Sequence, residues 1–266
     1  MASISSSPGR TKFGENATAY DFARPAYRPE LFDWLRATCS LGPESDCLEI
    51  GAGTGHATLP VLATPVRSLL AIEPDGALAA RLRDKAGADA RLTIVTERFE
   101  KAELQTGGYD FAFAATSFHW LPRMKSLQRV RTALKPGGWF AMWWDVFHDP
   151  ARPDAFDDAS AHLFDGLEQD PEATANRPAF ALDVASRLGE MRSAGFVNTQ
   201  HKLFHREVAF TPDHLAALYA TFSRVRMAPD AKRDMLLGEV RRIVRETFGG
   251  EVVRSIATSA FLGRRD

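Results

Sequence analysis

Cysteine is scarce in this sequence: the 266 residues include two, Cys39 and Cys47. Their spacing does not match a metal-ligand pattern, and Cys47 lies in an apolar run where a small buried thiol is unremarkable. We therefore expect no metal site, and a reducing, cytoplasmic setting fits this cysteine usage.

An excess of charge is also lacking, because 33 basic residues face 34 acidic ones and the formal net charge is −1. Such a chain has no overall field that would hold a nucleic-acid backbone or an anionic lipid surface. Long apolar runs are missing too. The opening MASISSSPGR has no signal-peptide core, and no segment approaches the roughly 20 apolar residues of a membrane span. We expect neither a nucleic-acid partner nor a membrane association.

What is present is ordinary globular composition, with 45% hydrophobic and 25% charged residues. The length suits one α/β domain with insertions. The polar, serine-rich residues 1–12 are predicted to form a flexible tail, and order is expected from about Phe13.

Five apolar runs alternate with helical segments in the first half of the chain. This alternation predicts a parallel sheet covered by helices on both faces. The runs are CLEI, SLLAI, RLTIV, YDFAFAA and WFAMWW, which end near residues 50, 72, 95, 115 and 144. Pro29 is predicted to open a helix ahead of the first run.

From residue 146 onward the chain first becomes rich in Pro and Asp, which predicts an irregular insertion. Two later segments, 196–209 and 251–263, alternate like strands, and residues 212–248 have apolar residues at helical spacing. The sequence therefore predicts two further strands with a helical cap between them.

The strongest chemical signal is the run Glu49-Ile50-Gly51-Ala52-Gly53-Thr54-Gly55 at the end of the first predicted strand. Glycines at a strand-to-helix turn let a backbone approach a ligand, and Glu73, at the end of the second strand, could accept both hydroxyls of a ribose. Adenosine is therefore the expected guest.

Other interpretations of the loop were weighed against this one. A dinucleotide site would have the spacing GxGxxG, whereas here the glycines fall as GxGxG after an acid that opposes a diphosphate and suits a cationic ligand. A purely structural turn, a non-catalytic adenosyl-binding module and a nicotinamide-dependent oxidoreductase remain as alternatives.

This stretch resembles the class I S-adenosylmethionine-dependent methyltransferases, whose first motif is an acid, a hydrophobic residue and then GxGxG. The resemblance covers about residues 13–145, including Thr116-Ser117-Phe118-His119-Trp120 and Lys135-Pro136-Gly137-Gly138. It implies a Rossmann-like, doubly wound α/β fold with a seven-stranded sheet, mostly parallel with one antiparallel strand near the C-terminus. The opening residues also look like those of trans-aconitate methyltransferase-like enzymes.

The resemblance divides the chain into an N-terminal lid and cofactor-binding core at 13–145, and a C-terminal part at 146–266 with the cap at about 212–248. It also implies which residues bind S-adenosylmethionine. These are Glu49, Gly51, Ala52, Gly53, Thr54, Gly55, Glu73, Pro74, Arg98, Phe99, Glu100 and Thr116. For Phe99 the alternative is ordinary core, and for Arg98 and Glu100 it is a solvated surface.

The resemblance also implies part of the acceptor side of the site, because His119 and Trp120 sit where the family places groups near the methyl. His119 is the candidate catalytic group, and Tyr20, Arg24, Tyr27, Trp120 and Tyr219 are candidates for substrate binding. Arg24 could pair with a carboxylate, although it and the two N-terminal tyrosines could equally pack a helix onto the sheet. Trp143, Trp144, Phe147 and Phe222 could line a dry pocket or belong to the core.

These residues predict a methyltransferase that acts on a small molecule, by O-methylation of a carboxylate or a hydroxyl. A carboxylate is already ionised, whereas a hydroxyl would want a general base, for which His119, Tyr20 and Tyr219 are the candidates. The expected product of the cofactor is S-adenosylhomocysteine, and the expected assembly is a monomer or homodimer.

Overall fold

The computed structural model describes residues 17–164, 167 and 179–266, with the backbone alone for residues 17–19. The predicted tail at 1–12 and part of the predicted insertion lie outside these residues. The helices are α1 (Ala17–Ala23), α2 (Pro29–Cys39), α3 (Thr58–Leu62), α4 (Gly76–Ala86), α5 (Arg123–Ala133), α6 (Ala155–Ser160), α7 (Val184–Ser193), α8 (Pro212–Ala220), α9 (Ser223–Arg226) and α10 (Asp230–Thr247).

Seven strands form one sheet in the order β3-β2-β1-β4-β5-β7-β6. They are β1 (Asp46–Ile50), β2 (Ser68–Ile72), β3 (Leu92–Val95), β4 (Tyr109–Ala115), β5 (Leu134–Val146), β6 (Phe196–Phe210) and β7 (Val252–Arg265). β1 to β5 pair in parallel, while β7 runs antiparallel to both β5 and β6. The predicted fold class, with its single antiparallel strand, is confirmed.

Both faces of the sheet are buried because successive side chains of a strand point to opposite sides. In β4, Phe111 and Phe113 pack with α2 and α3, whereas Ala112 and Ala114 pack with α5 and α7. The apolar runs of the sequence are therefore continuous rather than alternating, as is typical of parallel strands covered by helices.

A third apolar cluster lies beside the sheet, where α6, α8 and α10 pack on the ends of β6 and β7. Its centre includes Phe156, Leu215, Tyr219, Val240 and Ile256. α8 and α10 lie within the residues for which a cap was predicted, whereas α6 lies in the predicted insertion. The predicted division of the chain, including the cap, stays a prediction. Across the described ranges, no helix is long and apolar enough to cross a membrane.

Candidate functional site

A cleft opens where the carboxyl ends of β1, β2 and β4 meet. β1 pairs with β2 on one side and with β4 on the other, and this change of direction is where open α/β sheets bind ligands. A cavity of about 170 Å³ lies there. Its walls include Tyr20, Arg24, Tyr27, Ile50, Gly51, Ala52, Gly53, Thr54, His56, Ile72, Glu73, Pro74, Leu78, Phe99, Thr116, Ser117, His119, Trp120, Leu121, Asp145, Thr221 and Ser223.

The glycine loop after β1 forms one wall, and its conformation explains its composition. Gly51, Gly53 and Gly55 have φ values of 73°, 57° and 90°, which residues other than glycine rarely adopt. A Cβ on Gly51 would lie 2.5 Å from the Cβ of Ser117, so a side chain there would displace the loop. At Gly55, which is not among the residues lining the cleft, a Cβ would lie 2.5 Å from Cδ1 of Leu82.

Glu73 lies on the opposite wall at the end of β2. Its carboxylate accepts hydrogen bonds of 2.8 Å from the Gly53 amide and 2.9 Å from the Asp75 amide. Burial raises the pKa of Glu73 to about 7, although these two amides oppose the effect. The carboxylate is thus held rigidly beside the loop and lines the cleft, as expected for a group that receives a ribose.

Glu49 is placed differently from its prediction, because it lies beneath the loop and not on the cleft wall. It is fully buried, and one carboxylate oxygen accepts a 2.6 Å hydrogen bond from the Thr58 hydroxyl. Its other oxygen, Oε1, has no hydrogen-bond partner among the described residues. Burial raises the pKa of Glu49 to about 8. Glu49 therefore supports the loop from below.

The residues after β3 separate into one that reaches the cleft and two that do not. Phe99 is buried and lines the cleft, with the guanidinium of Arg129 at 5.3 Å from its ring centroid. Arg98 and Glu100 flank it, are exposed, and do not line the cleft. The predicted contact of these two with the cofactor is not supported, because the turn directs only the middle residue of the three into the fold.

The N-terminal helix α1 closes the cleft from above and adds Tyr20 and Arg24 to its lining. Arg24 lies among the rings of Tyr20, Phe147 and Phe222, with centroid distances of 5.4 to 5.6 Å. Its Nε is buried without a hydrogen-bond partner, and the described residues provide no ion-pair partner for it. Arg24 is thus a cation without an ion-pair partner among the described residues; it faces the site, where its charge acts to lower the pKa of Asp145.

His119 lies on a short 3-10 turn after β4. Its Nδ1 accepts a 2.9 Å hydrogen bond from the indole N–H of Trp144, so the neutral ring carries its proton on Nε2. Burial, and secondarily the charge of Arg24, lower the pKa of His119 to about 4. This geometry argues against His119 as a general base, because its unprotonated nitrogen is already occupied. It fits a hydrogen-bond donor.

Thr116 turns the chain at the end of β4 with a φ of 54°. Its hydroxyl lies 2.9 Å from that of Tyr27, whose ring packs edge-on against Trp143. Trp143 is buried in the core and does not line the site. Thr116, Tyr27 and Trp120 all line the cleft as predicted, and their contact with a ligand stays a prediction.

A second cavity of about 540 Å³ adjoins the first and extends toward the cap. Arg24, Thr116, His119, Asp145 and Ser223 line both cavities and so mark the opening between them. The other walls of the second cavity include Trp144, Phe147, His148, Asp157, Phe164, Phe180, Tyr219, Phe222 and Arg224.

Tyr219 was predicted to bind substrate and lines only this second cavity. Its hydroxyl accepts a 2.8 Å hydrogen bond from the buried guanidinium of Arg254, which also pairs with Asp154 and Asp157. Burial raises the pKa of Tyr219 and the contact with Arg254 opposes this effect, so the predicted general-base role of Tyr219 is disfavoured.

Asp145 is a site residue that the sequence interpretation missed. It follows β5's aromatic run, accepts hydrogen bonds from Thr258 and Arg206, and is buried. Burial raises its pKa, and the charge of Arg206 opposes this. Asp21 and Ser117 were missed as well. Asp145 and Ser117 could have been identified from the sequence, because each stands near the carboxyl end of a predicted parallel strand.

The composition of the first cavity fits S-adenosylmethionine. The absence of a side chain at Gly51 lets the backbone of the loop come close to the ligand. The Glu73 carboxylate suits the two ribose hydroxyls, and Ile72, Leu78 and Phe99 offer an apolar surface for adenine. These groups suit a cationic adenosine derivative better than a diphosphate.

Comparison with known proteins agrees with this fit. Residues 48–140 match the family described as "Methyltransferase domain". An uncharacterized methyltransferase from Schizosaccharomyces pombe is 24% identical over 238 residues, which is 89% of this chain and 88% of the relative. An uncharacterized methyltransferase from Mycobacterium bovis is 27% identical over 134 residues, 50% of this chain and 52% of that protein.

Solved structures share the fold. A protein assigned as a type II methyltransferase from Anaeromyxobacter dehalogenans has a TM-score of 0.62 and 21% identity, covering 91% of this chain and 97% of that one. A phosphoethanolamine N-methyltransferase from Haemonchus contortus, solved with S-adenosylhomocysteine, has a TM-score of 0.58 and 14% identity, covering 100% of this chain and 60% of that one. The matched domain, the methyltransferase relatives, the shared fold and the chemistry of the cleft together indicate an S-adenosylmethionine-dependent methyltransferase.

Proposed function

We propose that this enzyme O-methylates a small-molecule carboxylate at the opening between its two cavities. The observation that carries the proposal is the pair of groups at that opening, the unpaired cation Arg24 and the neutral hydrogen-bond donor His119. Both favour an anionic oxygen as the acceptor. The second cavity is a large concave space that adjoins the cofactor cleft, so we assign the acceptor to it.

When bound, S-adenosylmethionine supplies a methyl group on a sulfonium, and the sulfur keeps the electron pair of the broken bond. Arg24 would bind and orient the acceptor carboxylate, since a guanidinium matches the geometry of that group. The Nε2–H of His119 could donate to the same acceptor. Because a carboxylate carries no proton at neutral pH, this arrangement needs no base. Correct positioning alone can lower the activation barrier by roughly 7–11 kcal/mol.

A hydroxyl acceptor is the second candidate, and Asp145 is the observation that favours it. Asp145 lines both cavities, and its burial raises its pKa, so it could accept a proton from a hydroxyl held at the opening. Its pairing with Arg206 opposes this role, because the cation stabilises the ionised carboxylate and makes it a weaker base.

The two candidates are separated by the products and by the effect of pH. We expect a mixture of small carboxylic acids and phenols, incubated with enzyme and S-adenosylmethionine, to yield methyl esters detected by mass and cleaved by mild alkali. At saturating substrates, kcat should be level from about pH 6 to 8, because His119 is already neutral above about pH 4. Alkali-stable methyl ethers, together with a kcat lost in Asp145→Asn, would instead establish hydroxyl methylation.

The proposal extends to the setting of the enzyme. The two cysteines are unpaired, and we place the enzyme in the cytoplasm as a monomer or homodimer. The N-terminal residues Tyr20, Arg24 and Tyr27 line the site, which supports the resemblance to trans-aconitate methyltransferase-like enzymes. That subgroup remains part of this proposal, as do the cofactor contacts of the individual loop residues.

A further inference from the structure

The second cavity holds a further cation, Arg224 of α9, which belongs to the run of arginines in the C-terminal helices. Arg241, Arg242 and Arg245 lie within 4.0 Å of acidic side chains on the helix surface. Arg224 differs from them because it lines the cavity and has no carboxylate partner among the described residues.

The guanidinium of Arg224 lies 4.1 Å from the centroid of the Phe164 ring. Surrounding atoms lower the pKa of Arg224 by desolvation, and Tyr219 opposes this effect. The side chain is nonetheless exposed, so a ligand in the cavity can reach it. Stacking on a ring fixes the plane of a guanidinium and leaves its outer N–H groups for an oxyanion.

The acidic groups of the same cavity do not cancel this charge. Asp145 pairs with Arg206, and Asp157 pairs with Arg254 at 2.6 Å. Among the described residues, Arg24 and Arg224 are therefore the arginines of the cavity walls that have no ion-pair partner, and the charge of Arg24 acts on Asp145 without a direct pair. Arg24 lines both cavities, whereas Arg224 lines only the second. The two positive charges thus face different parts of the acceptor space.

The body of the space between them is aromatic. Trp144 and Phe180 pack edge to face with centroids 5.1 Å apart, and Phe147 and Phe222 lie 5.4 Å apart. Such walls favour a flat, apolar ligand, because ring faces and edges both offer contact area without requiring hydrogen bonds.

We infer that the acceptor is an aromatic dicarboxylate, with one carboxylate methylated at the Arg24 opening and the other paired with Arg224. This inference rests on the proposed carboxylate methylation and adds the substrate class and its specificity-determining residue. The Arg224-bound group would stay unmodified, since this residue does not line the cofactor cleft.

The test uses acceptors that differ in one charge or in the flatness of the body. The probes are terephthalate, its half-amide 4-carbamoylbenzoate, the longer pair 4-carboxycinnamate and its amide, and the non-planar trans-cyclohexane-1,4-dicarboxylate. Methyl transfer is measured as kcat/KM, and binding is measured separately by calorimetry in the presence of S-adenosylhomocysteine. The variants are Arg224→Gln and, as a matched control on the cap surface, Arg242→Gln.

We expect kcat/KM of the wild type to be about tenfold or more higher for at least one planar diacid than for its amide. A difference of this size is typical of one interaction with a charged group. In Arg224→Gln the ratio of kcat/KM for the diacid to that for the amide should fall to near one, because KM for the diacid rises. Arg242→Gln should behave as wild type.

Two results would overturn the inference: no wild-type preference for the diacids in either assay, or an equal loss for diacid and amide in Arg224→Gln. A preference for the cyclohexane diacid would overturn the aromatic part. If diacids bind through Arg224 but no ester forms, the proposed carboxylate methylation is wrong, while the binding role of Arg224 is supported. If esters form without a preference for the diacid over its amide, the binding role of Arg224 is wrong, while the proposed carboxylate methylation is supported.

Discussion

Among single residues, Glu49 shows how a buried carboxylate can weaken a fold while serving its site. Its hydrogen bond from Thr58 satisfies one oxygen, and the other has no partner among the described residues. Leaving a buried acceptor unpaired typically costs about 1–3 kcal/mol. Such a group persists when it has a task, and supporting the glycine loop from below through the Thr58 contact is one.

Glu49→Gln should raise the free energy of unfolding of the ligand-free enzyme, and the gain should grow with pH. Burial raises the pKa of Glu49 to about 8, against 4.5 for the free group, so between these values the folded state holds a proton that the unfolded state lacks. The contribution of Glu49 to the free energy of unfolding therefore becomes less favourable as pH rises through this range, by about 1.4 kcal/mol per pH unit. Glutamine does not titrate and can still accept from Thr58.

Denaturant unfolding of wild type and variant from pH 4.5 to 8.5 measures the effect. The exposed Glu251→Gln serves as the control and should show a pH-independent difference. A Glu49→Gln stability difference that stays constant with pH would show that Glu49 is ionised throughout.

The cofactor residues could be found from the sequence because their signal is local. The glycine loop and Glu73 each occupy the end of an apolar run, and the strand order places those ends together. Arg224 and Asp21 could not be assigned in this way, because their neighbours at the site come from distant segments of the chain. Glu49 was misplaced for a related reason: alternation along β1 decides which side of the loop it faces.

For the elements, most of the sheet was predictable and the cap contacts were not. Period-two and period-3.6 patterns identify β6, β7, α8 and α10 as separate elements. They do not specify that α1 packs on α8, which brings Arg24 to Phe222. Long-range packing of this kind depends on three-dimensional fit, so the acceptor cavity emerges only from the structure.

The Asp21 side chain connects helix α1 to the elements below the cleft opening. It accepts hydrogen bonds of 2.9 Å from the Thr54 hydroxyl and 2.7 Å from Lys85, and it lies 2.9 Å from Nε2 of His56. Burial would raise the pKa of Asp21, but the hydrogen bonds from Lys85 and Thr54 outweigh it and lower the pKa. The carboxylate thus links the helix to the glycine loop and to α4.

Asp21→Asn should loosen α1 and weaken cofactor binding, because an amide replaces a charge that four groups contact, Arg81 at 3.6 Å being the fourth. We expect amide hydrogen exchange in α1 to accelerate about tenfold, which corresponds to about 1.4 kcal/mol, and the dissociation constant for S-adenosylhomocysteine to rise severalfold. Asp33→Asn on the exposed face of α2 is the matched control and should change neither quantity. Unaltered exchange in the Asp21 variant would mean that apolar packing alone holds α1.

For the whole molecule, the cofactor cleft lies between elements that are far apart in the chain, from α1 to β5 and α9. A ligand that bridges them binds the folded state alone and stabilises all of them at once. At a concentration of 100 times its dissociation constant, this linkage is worth about 2.7 kcal/mol. For a chain of this length that corresponds to a rise in Tm of roughly 5–10 °C.

We therefore expect S-adenosylhomocysteine, but not NADH, to raise the Tm of wild type by this amount in a thermal melt. Gly51→Ala should remove most of the rise, because its Cβ would lie 2.5 Å from that of Ser117 and the loop must shift. Gly87→Ala is the matched control: its φ of 61° imposes similar backbone strain, yet no atom lies within 4 Å of the added Cβ. It should lower the Tm itself while leaving the ligand-induced rise intact. A full rise in Gly51→Ala would show that the loop does not hold the cofactor, and a rise with NADH alone would make the enzyme a nicotinamide-binding protein.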